Sequence, residues 1–519
     1  MEIKAINTRP IKSTILFENH KKNKENWLKK AISRTNEFIN DYPKSERKKI
    51  GQFFTGEKTA KYMASLLSIP KQDSLVILDP GSGSGILSIA LLELIETKPW
   101  VNCVKLICFE TDENVIPILR DNLEMVKENC SFLLEYCIKT ENYITSQAAA
   151  FEHTLLVESN LTEEKFDLII ENPPYKKISK ASLEAQLVPS ICKGAPNLYF
   201  IFVALSLFNL KAGGEMAVII PRSWTSGLYF KNFRNYLFHN GSLERLHLFT
   251  SRNKVFDKET VLQETLILKI KKRKQIDSIE VTTSENSISF DNCSSFFAPK
   301  QVIVSGPDNY VYLVTNKKDL EVLEKLNKWK NTLVDLGLKM KTGLTVDFRS
   351  RSSLRNSKEE GTIPLFYSQH MKNGRINFPC GKEGEWLKTD KKGLHQPNEN
   401  YLFVKRFTAK EEKKRLQCSI YLATDCPNYL TISTHNKINF IAGKSPLDVN
   451  TVYGLYVLFS STIYDQYYRI LNGSTQVNST EINSMPVPSL DIIKQMGDAL
   501  IKEETLSVEI CDRIVERYI

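Results

Sequence analysis

Four consecutive residues, Asn172-Pro173-Pro174-Tyr175, carry the groups needed to hold a planar amino group. The amino group of a base is a poor nucleophile because its lone pair is delocalised into the ring, so an enzyme must accept its N–H hydrogens. The Asn172 side-chain oxygen and the Pro173 carbonyl oxygen can accept them, and Tyr175 offers a ring for stacking. The two prolines keep the backbone extended. The tetrapeptide therefore indicates group transfer to a base amine; the alternative is an ordinary turn.

Two apolar runs predict the strands that position this chemistry. Residues 166–170 lead into the tetrapeptide, and residues 75–78 lead into a loop that contains Gly81, Gly83 and Gly85 before a predicted helix. The Gly-x-Gly-x-Gly spacing differs from the dinucleotide fingerprint, and the loop lacks the Gly-Lys-Ser/Thr ending of a phosphate-binding loop. A pyrophosphate ligand is therefore not favoured, although the glycines would let the backbone approach a ligand closely.

Two acidic residues lie where predicted strands end. Asp79 follows the first strand, and Glu110 follows a strand over residues 104–109, 25 residues beyond Gly85. In nucleotide-binding folds, an acidic residue at about this separation in sequence from the glycine loop accepts hydrogen bonds from both ribose hydroxyls. Asp79 can instead contact a cationic or hydroxyl-bearing group. The alternative for Glu110 is a solvated strand end. S-adenosylmethionine fits this set, because it combines an amino acid, a sulfonium and a ribose.

With these motifs in this order, the chain resembles the gamma-class DNA adenine-N6 methyltransferases of bacterial type II restriction-modification systems. Residues 51–55, Gly-Gln-Phe-Phe-Thr, match the first family motif, which implies that Gln52, Phe53, Phe54 and Thr55 cradle the methionine end of S-adenosylmethionine. The glycine loop and the ribose-binding acid follow, and then the catalytic tetrapeptide. The family ends with a target-recognition domain.

The resemblance extends to positions around and beyond the tetrapeptide. Residues 197–200 and 213–221 match later scaffold motifs, and Phe230 aligns with an aromatic residue that packs against a flipped adenine. Core packing is the alternative for Phe230. The acidic residue that the family places after its third strand, against the cofactor adenine, falls near Glu158 or Ser159, of which Glu158 is our candidate.

The second half of the chain predicts contacts with a polynucleotide. Five basic residues and one acid lie between residues 339 and 355, among them Arg349, and Lys405 and Arg406 lie between two phenylalanines. Such residues neutralise phosphates, and arginine also reads a guanine edge. Segments 342–349, 366–370, 404–407 and 472–478 resemble the recognition domain of one type II subgroup. A solvated charged surface is the better interpretation of residues 411–414.

Composition is compatible with this interpretation. The chain has 519 residues, 42% of them hydrophobic, which is enough for two or three domains, and its net charge of +10 suits a partner that is a polyanion. Its 10 cysteines have irregular positions and no Cys-x-x-Cys pair, which favours reduced thiols in a bacterial cytoplasm and no metal site. No signal peptide or membrane-spanning run is predicted, because the longest apolar run, residues 198–208, is too short.

The order of these segments predicts the architecture. Residues 1–49 are expected to form an N-terminal helical arm, and residues 50–272 an α/β, Rossmann-like S-adenosylmethionine-dependent methyltransferase domain with a mostly parallel sheet and helices on both faces. Within it, residues 261–270 predict the last strand. A connecting region, 273–330, precedes an α+β target-recognition domain, 331–519, whose residues 451–470 and 490–518 predict helices.

The resemblance implies a mechanism. Duplex DNA binds between the two domains, and the target adenine rotates out of the stack because its amino group is otherwise inaccessible. Asn172 and Pro173 then align N6 with the cofactor methyl group while Tyr175 and Phe230 clamp the ring. Methyl transfer leaves S-adenosylhomocysteine, and positioning and charge stabilisation supply most of the rate.

Three alternatives use parts of the same equipment. An RNA or protein-glutamine methyltransferase could use the tetrapeptide, but the early 51–55 motif and the long basic region argue against it. A bifunctional restriction enzyme would need a nuclease centre, for which Asp257, Glu264 and Lys269 lack the acid-x-Lys spacing. A non-catalytic specificity module would not need both the glycine loop and the tetrapeptide. We expect a monomer that binds double-stranded DNA, and a separately encoded cognate endonuclease is left open.

Overall fold

The computed structural model describes residues 26–41, 54–156, 165–194, 196–250, 264–273, 276–306, 308–409, 411–472, 475–503 and 505–519. The chain divides into two compact units, Met1–Thr315 and Asn316–Ile519, called unit 1 and unit 2 below. Across the described ranges, no helix has both the length and the apolar character needed to cross a membrane.

Unit 1 is built on a nine-stranded sheet with the order β3-β2-β1-β4-β5-β7-β6-β8-β9. The strands are β1 (Ser74–Asp79), β2 (Cys103–Phe109), β3 (Leu133–Lys139), β4 (Phe166–Glu171), β5 (Leu210–Pro221), β6 (Ser242–Phe249), β7 (Thr265–Lys271), β8 (Ser278–Ser284) and β9 (Ser294–Pro299). Strands β1 to β5 run parallel to one another, and β7 lies antiparallel between β5 and β6. The predicted α/β, Rossmann-like class is confirmed.

Helices cover this sheet on both faces, since all six residues of β4 are buried. They form two groups that pack among themselves, α1 to α4 and α5 to α8. The helices are α1 (Trp27–Asp41), α2 (Glu57–Leu66), α3 (Ile86–Ile95), α4 (Ile116–Asn129), α5 (Tyr143–Leu156), α6 (Leu183–Leu187), α7 (Leu198–Asn209), α8 (Lys231–Asn240) and α9 (Lys300–Ile303). The unit ends in a short hairpin, β10 (Val304–Ser305) and β11 (Tyr310–Val311).

The order in which successive strands are added to the sheet reverses between the neighbouring strands β1 and β4. From β1 the sheet continues through β2 to β3 on one side, and from β4 it continues to β5 on the other. In such sheets a crevice opens at the carboxyl ends of the strands where the order reverses, and ligands bind there. This geometry brings Asp79, Glu110 and Asn172, which are far apart in sequence, to one edge.

The sheet extends past the strand that was predicted to be its last. Strand β7 starts at Thr265, and the sheet continues beyond residue 272 with β8 and β9. Strand β8 joins the sheet by pairing in parallel with β6, where Arg245 lies opposite Glu280 and forms an ion pair with it, Nη2 to Oε2, at 2.5 Å. Such distant pairing cannot be inferred from local pattern, and the predicted domain limits stay a prediction.

Unit 2 is α+β, as predicted, with a six-stranded sheet (β12-β22-β19-β20-β16-β15) and a five-stranded sheet (β13-β17-β14-β21-β18). The strands are β12 (Leu338–Thr342), β13 (Leu354–Arg355), β14 (Ile363–Phe366), β15 (Met371–Lys372), β16 (Arg375–Ile376), β17 (Trp386–Leu387), β18 (Gln396–Pro397), β19 (Tyr401–Lys405), β20 (Cys418–Tyr421), β21 (Thr431–Thr434) and β22 (Ile438–Gly443). The helices are α10 (Lys317–Leu326), α11 (Asp347–Ser350), α12 (Val449–Ser460), α13 (Thr462–Leu471), α14 (Ser479–Ser484), α15 (Leu490–Ile501) and α16 (Val508–Val515).

Each long helix predicted near the C-terminus is in fact two helices. Ser461 separates α12 from α13 because its backbone is extended, with φ −69° and ψ 148°, and its side chain accepts a hydrogen bond from the Tyr464 N–H. Ser507 begins α16 in the same way, with its side chain accepting from the Ile510 N–H. Serine favours this capping position over a helix interior.

Candidate active site

A cavity of about 270 Å³ opens in unit 1 at the carboxyl ends of the central strands. Four predicted segments contribute to its lining: the first motif, the glycine loop, the end of β2 and the tetrapeptide. The lining residues are Phe54, Thr55, Pro80, Gly81, Ser82, Gly83, Ser84, Ile86, Leu87, Phe109, Glu110, Thr111, Glu141, Asn142, Tyr143, Ile144, Asn172, Pro174, Lys176, Glu184, Leu198 and Phe202. The fold thus brings these four segments, which lie far apart in the sequence, to one cavity.

The glycine loop fits closely against its surroundings. Gly83 and Gly85 have φ of 52° and 84°, in the left-handed region where side chains are strained. A Cβ atom at Gly85 would also come within 2.8 Å of Leu119 on α4. The loop is tied to β2 by the Ser82 N–H, which donates to the Phe109 carbonyl oxygen at 3.0 Å. The loop is therefore held in one conformation, and its backbone forms part of the cavity wall.

Glu110 lies in the cavity wall with its carboxylate held in a fixed orientation. One oxygen accepts from the Gly83 N–H at 2.9 Å and the other from the Asp112 N–H at 2.8 Å. Burial raises the pKa of this carboxyl. Each oxygen keeps a second lone pair that can accept a hydrogen bond from a ligand hydroxyl.

Asp79 lies beneath the loop and is not among the residues that line the cavity. It is fully buried, and its Oδ2 accepts from the Ser88 hydroxyl at 2.6 Å, while its backbone carbonyl accepts from the Ser82 hydroxyl. Burial raises the pKa of Asp79 to about 7. The structure therefore gives Asp79 a supporting position under the loop, and its predicted contact with a ligand stays a prediction.

Asn172 joins the tetrapeptide to the first motif. Its Nδ2 donates to the Thr55 hydroxyl oxygen at 3.1 Å. This bond uses the nitrogen end of the amide as a donor, and the oxygen end has the chemistry of an acceptor for an amino group. Pro174 lines the cavity beside Asn172. The backbone of Pro173 lies against the glycine loop, since a Cβ atom built on Gly81 would be 3.9 Å from the Pro173 Cα atom. Gln52 and Phe53 lie outside the described residues.

Tyr175 and Phe230 belong to one cluster of rings, joined through Tyr199. The Tyr175 side chain is 9% exposed, and its hydroxyl donates to the Ile219 carbonyl oxygen at 3.0 Å. Its ring meets Tyr199 edge to face at 6.4 Å between centroids, and Phe230 stacks on Tyr199 at 6.2 Å. Phe230 also contacts Phe200 edge to face. Neither Tyr175 nor Phe230 lines the cavity, so their contact with a base stays a prediction.

The third strand is not where the sequence analysis placed it. Strand β3 ends at Lys139 and pairs with β2 over seven residues, whereas the predicted position lies after α5, and Glu158 falls outside the described residues. The residues that follow β3 and line the cavity are Glu141 and Asn142. Asn142 also caps α5, since its Oδ1 accepts from the Ile144 N–H at 2.9 Å. The sequence signal that was missed is a set of apolar residues at every second position, Leu134, Tyr136 and Ile138, followed by a capping asparagine.

Glu171, the last residue of β4, is a buried carboxyl directly before the tetrapeptide. Its Oε2 accepts from the Ser206 hydroxyl at 3.0 Å, and its Oε1 has no hydrogen-bond partner within the part of the chain that the structure describes. Burial raises the pKa of Glu171 from 4.5 to about 8. The carboxyl is therefore protonated in the folded protein at neutral pH.

This protonation predicts a pH-dependent stability. The folded protein keeps the Glu171 proton that the unfolded chain loses near pH 4.5, so stability is expected to fall as pH rises from about 4.5 to 8 and then to level off. Glu171→Gln removes this contribution. Thermal melts across this range should show the variant gaining stability relative to the wild type, while the exposed-site control Glu135→Gln should follow the wild type. A constant difference between wild type and Glu171→Gln would refute the assignment.

The three predicted DNA-contacting residues in unit 2 have different environments. Arg349 is exposed on α11, with its guanidinium 5.3 Å from the ring centroid of Phe348, which is 67% exposed. Arg406 is half-buried and donates to the Asn436 carbonyl oxygen at 2.9 Å. Lys405 donates to the Gln417 side chain at 3.1 Å. Arg349 is thus the most available of the three for a partner.

One group in the described part of unit 2 has ligand atoms close enough for a metal ion. Atoms of His370, Cys380 and Glu385 lie within 4.8 Å of one another. However, His370 Nδ1 accepts from the Tyr367 N–H, and its Nε2 lies 2.9 Å from a Glu385 oxygen. Glu385 also accepts from the N–H groups of Cys380 and Gly381. These bonds explain the cluster as a support for the 378–385 loop.

Comparison with known proteins places this architecture in a family. Residues 94–256 match the model of the Eco57I restriction-modification methylase family. The chain is 34% identical to the type II methyltransferase M.BsuBI of Bacillus subtilis over 91% of this chain and 94% of the relative. It is 32% identical to the type II methyltransferase M.PstI of Providencia stuartii over 87% of this chain and 89% of the relative.

A solved structure shows the same fold. The type IIL restriction-modification enzyme MmeI in complex with DNA matches with a TM-score of 0.51 and 11% identity, over 94% of this chain and 75% of that chain. At this identity the match speaks for the fold alone, and the family assignment rests on the two relatives. The chain belongs to the methyltransferases of type II restriction-modification systems.

Proposed function

We propose that this methyltransferase transfers a methyl group from S-adenosylmethionine to N6 of an adenine that is extruded from a short recognised sequence in duplex DNA. One observation carries the proposal: Thr55 orients the Asn172 amide at the wall of a cavity that the glycine loop and Glu110 also line. The proposal includes action as a monomer on double-stranded DNA in the bacterial cytoplasm.

The cavity residues fit S-adenosylmethionine. The two oriented oxygens of Glu110 suit a ribose diol, and the positive-φ glycines allow close approach to backbone. Asn142 and Glu141 line the same cavity and could supply polar groups for the adenine edge, and Phe54 and Thr55, which also line it, are the residues that we assign to the methionine end. When bound, the cofactor supplies an activated methyl group on a good leaving group.

The protein's own residues prepare the nucleophile. The Asn172 side-chain oxygen and the Pro173 carbonyl oxygen accept the two N–H hydrogens of the adenine amino group, which draws its lone pair out of the ring and toward the methyl donor. No strong base is needed, because a proton leaves readily once the nitrogen carries positive charge. Phe230, which is more exposed than Tyr175, provides the larger part of the aromatic contact with the base.

The choice of substrate can be tested directly with the purified full-length protein. Labelled S-adenosylmethionine is offered with unmethylated duplex genomic DNA, the same DNA in single-stranded form, total cellular RNA, or a whole-protein extract. We expect label in duplex DNA, with less in the single strands, because recognition requires the grooves of a duplex. Label confined to RNA or protein would overturn the proposal in favour of that substrate class.

Arg349 is expected to contribute to DNA binding in unit 2. Removing one phosphate contact weakens binding on all sequences alike and lowers the slope of log K against log salt by about 1. We expect this from Arg349→Ala, measured by fluorescence anisotropy at several salt concentrations. Lys318→Ala, which removes an exposed cation from α10, serves as the control. An unchanged slope for Arg349→Ala would exclude a phosphate contact there.

A further inference from the structure

The turn that precedes Phe230 presents two large apolar side chains to solvent. Leu228 is 56% exposed and Tyr229 is 59% exposed. They form a 3-10 turn, Leu228–Phe230, that starts after Gly227, whose φ of 80° requires glycine. Exposure of neighbouring large apolar residues on one turn is costly in water and marks interaction surfaces.

This turn is held rigid from inside the protein. Arg234 on α8 is fully buried, and its Nη1 donates to the carbonyl oxygens of Trp224, Ser226 and Gly227, each at 3.0 Å. Its Nε donates to the Asp308 carbonyl oxygen at 2.8 Å. A buried arginine that donates to three carbonyl oxygens of the loop before Leu228 fixes the direction in which Leu228 and Tyr229 point.

Tyr229 rests on a backbone surface that a glycine provides. A Cβ atom at Gly194 would lie 2.2 Å from the Tyr229 ring, and Gly194 has a φ of 76°. The same segment is bound to α8 by Asn232, whose Nδ2 donates to the Ser190 carbonyl oxygen at 2.8 Å. The Cδ1–Cε1 edge of the ring is therefore supported by the Gly194 backbone, and more than half of the side chain remains in solvent.

The surface beside this turn is cationic. Lys193 adjoins Gly194, and Lys176, Lys177 and Lys180 follow the tetrapeptide; all four are exposed. Their two segments are joined, because the Leu198 N–H donates to the Lys176 carbonyl oxygen at 2.9 Å and the Ile178 N–H donates to the Pro196 carbonyl oxygen at 2.8 Å. A supported aromatic ring among exposed lysines is complementary to stacked bases between phosphates.

We propose that Leu228 and Tyr229 enter the DNA duplex and occupy the space that the extruded base leaves, an inference that rests on the proposed function. Extrusion costs stacking and pairing energy, and an inserted apolar side chain restores part of the lost contact. The turn is positioned for this task, since the next residue, Phe230, is linked to Tyr175 through Tyr199. The rigid turn would keep the gap in the duplex open while Phe230 and Tyr175 hold the extruded adenine.

The test uses the full-length protein and a duplex that carries the target sequence mapped in wild-type-treated genomic DNA. Tyr229→Ser and Leu228→Ser are compared with Leu133→Ser, which removes a side chain on β3 with a similar exposure of 59%. We expect kcat/KM to fall about 10-fold or more in each turn variant, as for loss of one stacking contact, and to be unchanged in Leu133→Ser. Tyr229→Phe keeps the ring and should restore most of the transfer.

A second duplex separates insertion from a general loss of binding. With a mismatch opposite the target adenine, extrusion is less costly, so Tyr229→Ser should recover toward wild-type kcat/KM. The fluorescence of 2-aminopurine at the target position should likewise be reduced in this variant on the matched duplex alone. Equal defects on matched and mismatched duplexes, or wild-type activity in both turn variants, would overturn the inference. Absence of transfer by the wild type itself would instead overturn the proposed function.

Discussion

Asn172→Ala is expected to lower the rate of methyl transfer by a factor of about 10²–10³ or more, the cost of removing one preorganised group that stabilises developing charge. The variant loses the acceptor that draws the amino lone pair toward the donor. The cofactor cavity keeps its other walls, so binding of S-adenosylmethionine measured by calorimetry should stay close to that of the wild type. Single-turnover transfer to duplex DNA measures the loss.

Variants of Thr55 serve as matched controls for this effect. Thr55→Val removes the hydroxyl that accepts from Asn172 Nδ2, whereas Thr55→Ser keeps it. Because Thr55 acts through Asn172, we expect Thr55→Val to lose a smaller part of kcat than Asn172→Ala, and Thr55→Ser to recover it. Full activity in Asn172→Ala would refute the assignment of Asn172 as the acceptor.

Glu110→Ala is expected to weaken binding of S-adenosylmethionine by about 10- to 100-fold, as for loss of hydrogen bonds to a charged group. The change removes the acceptor for a ribose diol and also leaves the N–H groups of Gly83 and Asp112 without their bonds. Calorimetric titration of the cofactor gives the affinity. Glu113→Gln, which alters an exposed carboxyl three residues away, is the control.

Two outcomes would count against this role of Glu110. An unchanged affinity in Glu110→Ala would mean that the carboxylate only supports the loop without meeting the ligand. A lower melting temperature in the absence of cofactor, together with a loss of affinity that disappears at temperatures where the variant is fully folded, would show that its bonds to Gly83 and Asp112 are mainly structural. Glu110→Gln distinguishes these cases further, because it keeps the size of the side chain but cannot accept with both ends.

The sequence predicted the parts of the site that lie directly after buried strands. Asp79, Glu110 and Asn172 each follow an apolar run, so their common edge could be inferred from the rule that ligands bind at the carboxyl ends of parallel strands. The structure groups Glu110 and Asn172 in one cavity lining and places Asp79 below it. Whether a residue such as Asp79 lies at the cavity surface or beneath the loop depends on tertiary packing, which cannot be inferred from a local sequence pattern.

Features that rest on distant contacts escaped the sequence analysis. The bond between Asn172 and Thr55 joins residues 117 positions apart, and Arg234 acts on backbone carbonyl groups that any residue type can provide. Strand β3 was missed because the position after the third strand was assigned by resemblance to residues near Glu158, beyond α5, and not from the pattern of residues 133–139. Glu141 and Asn142 were consequently overlooked as cavity residues.

The most direct test of the central claim is to identify the methylated nucleoside. Duplex DNA treated with wild-type protein and S-adenosylmethionine is digested to nucleosides and analysed by mass spectrometry, with single-molecule sequencing of the same DNA to locate the modification. We expect N6-methyladenine in one recurring sequence, and none after treatment with Asn172→Ala. Methylcytosine as the product, or N6-methyladenine that persists with Asn172→Ala, would contradict the account.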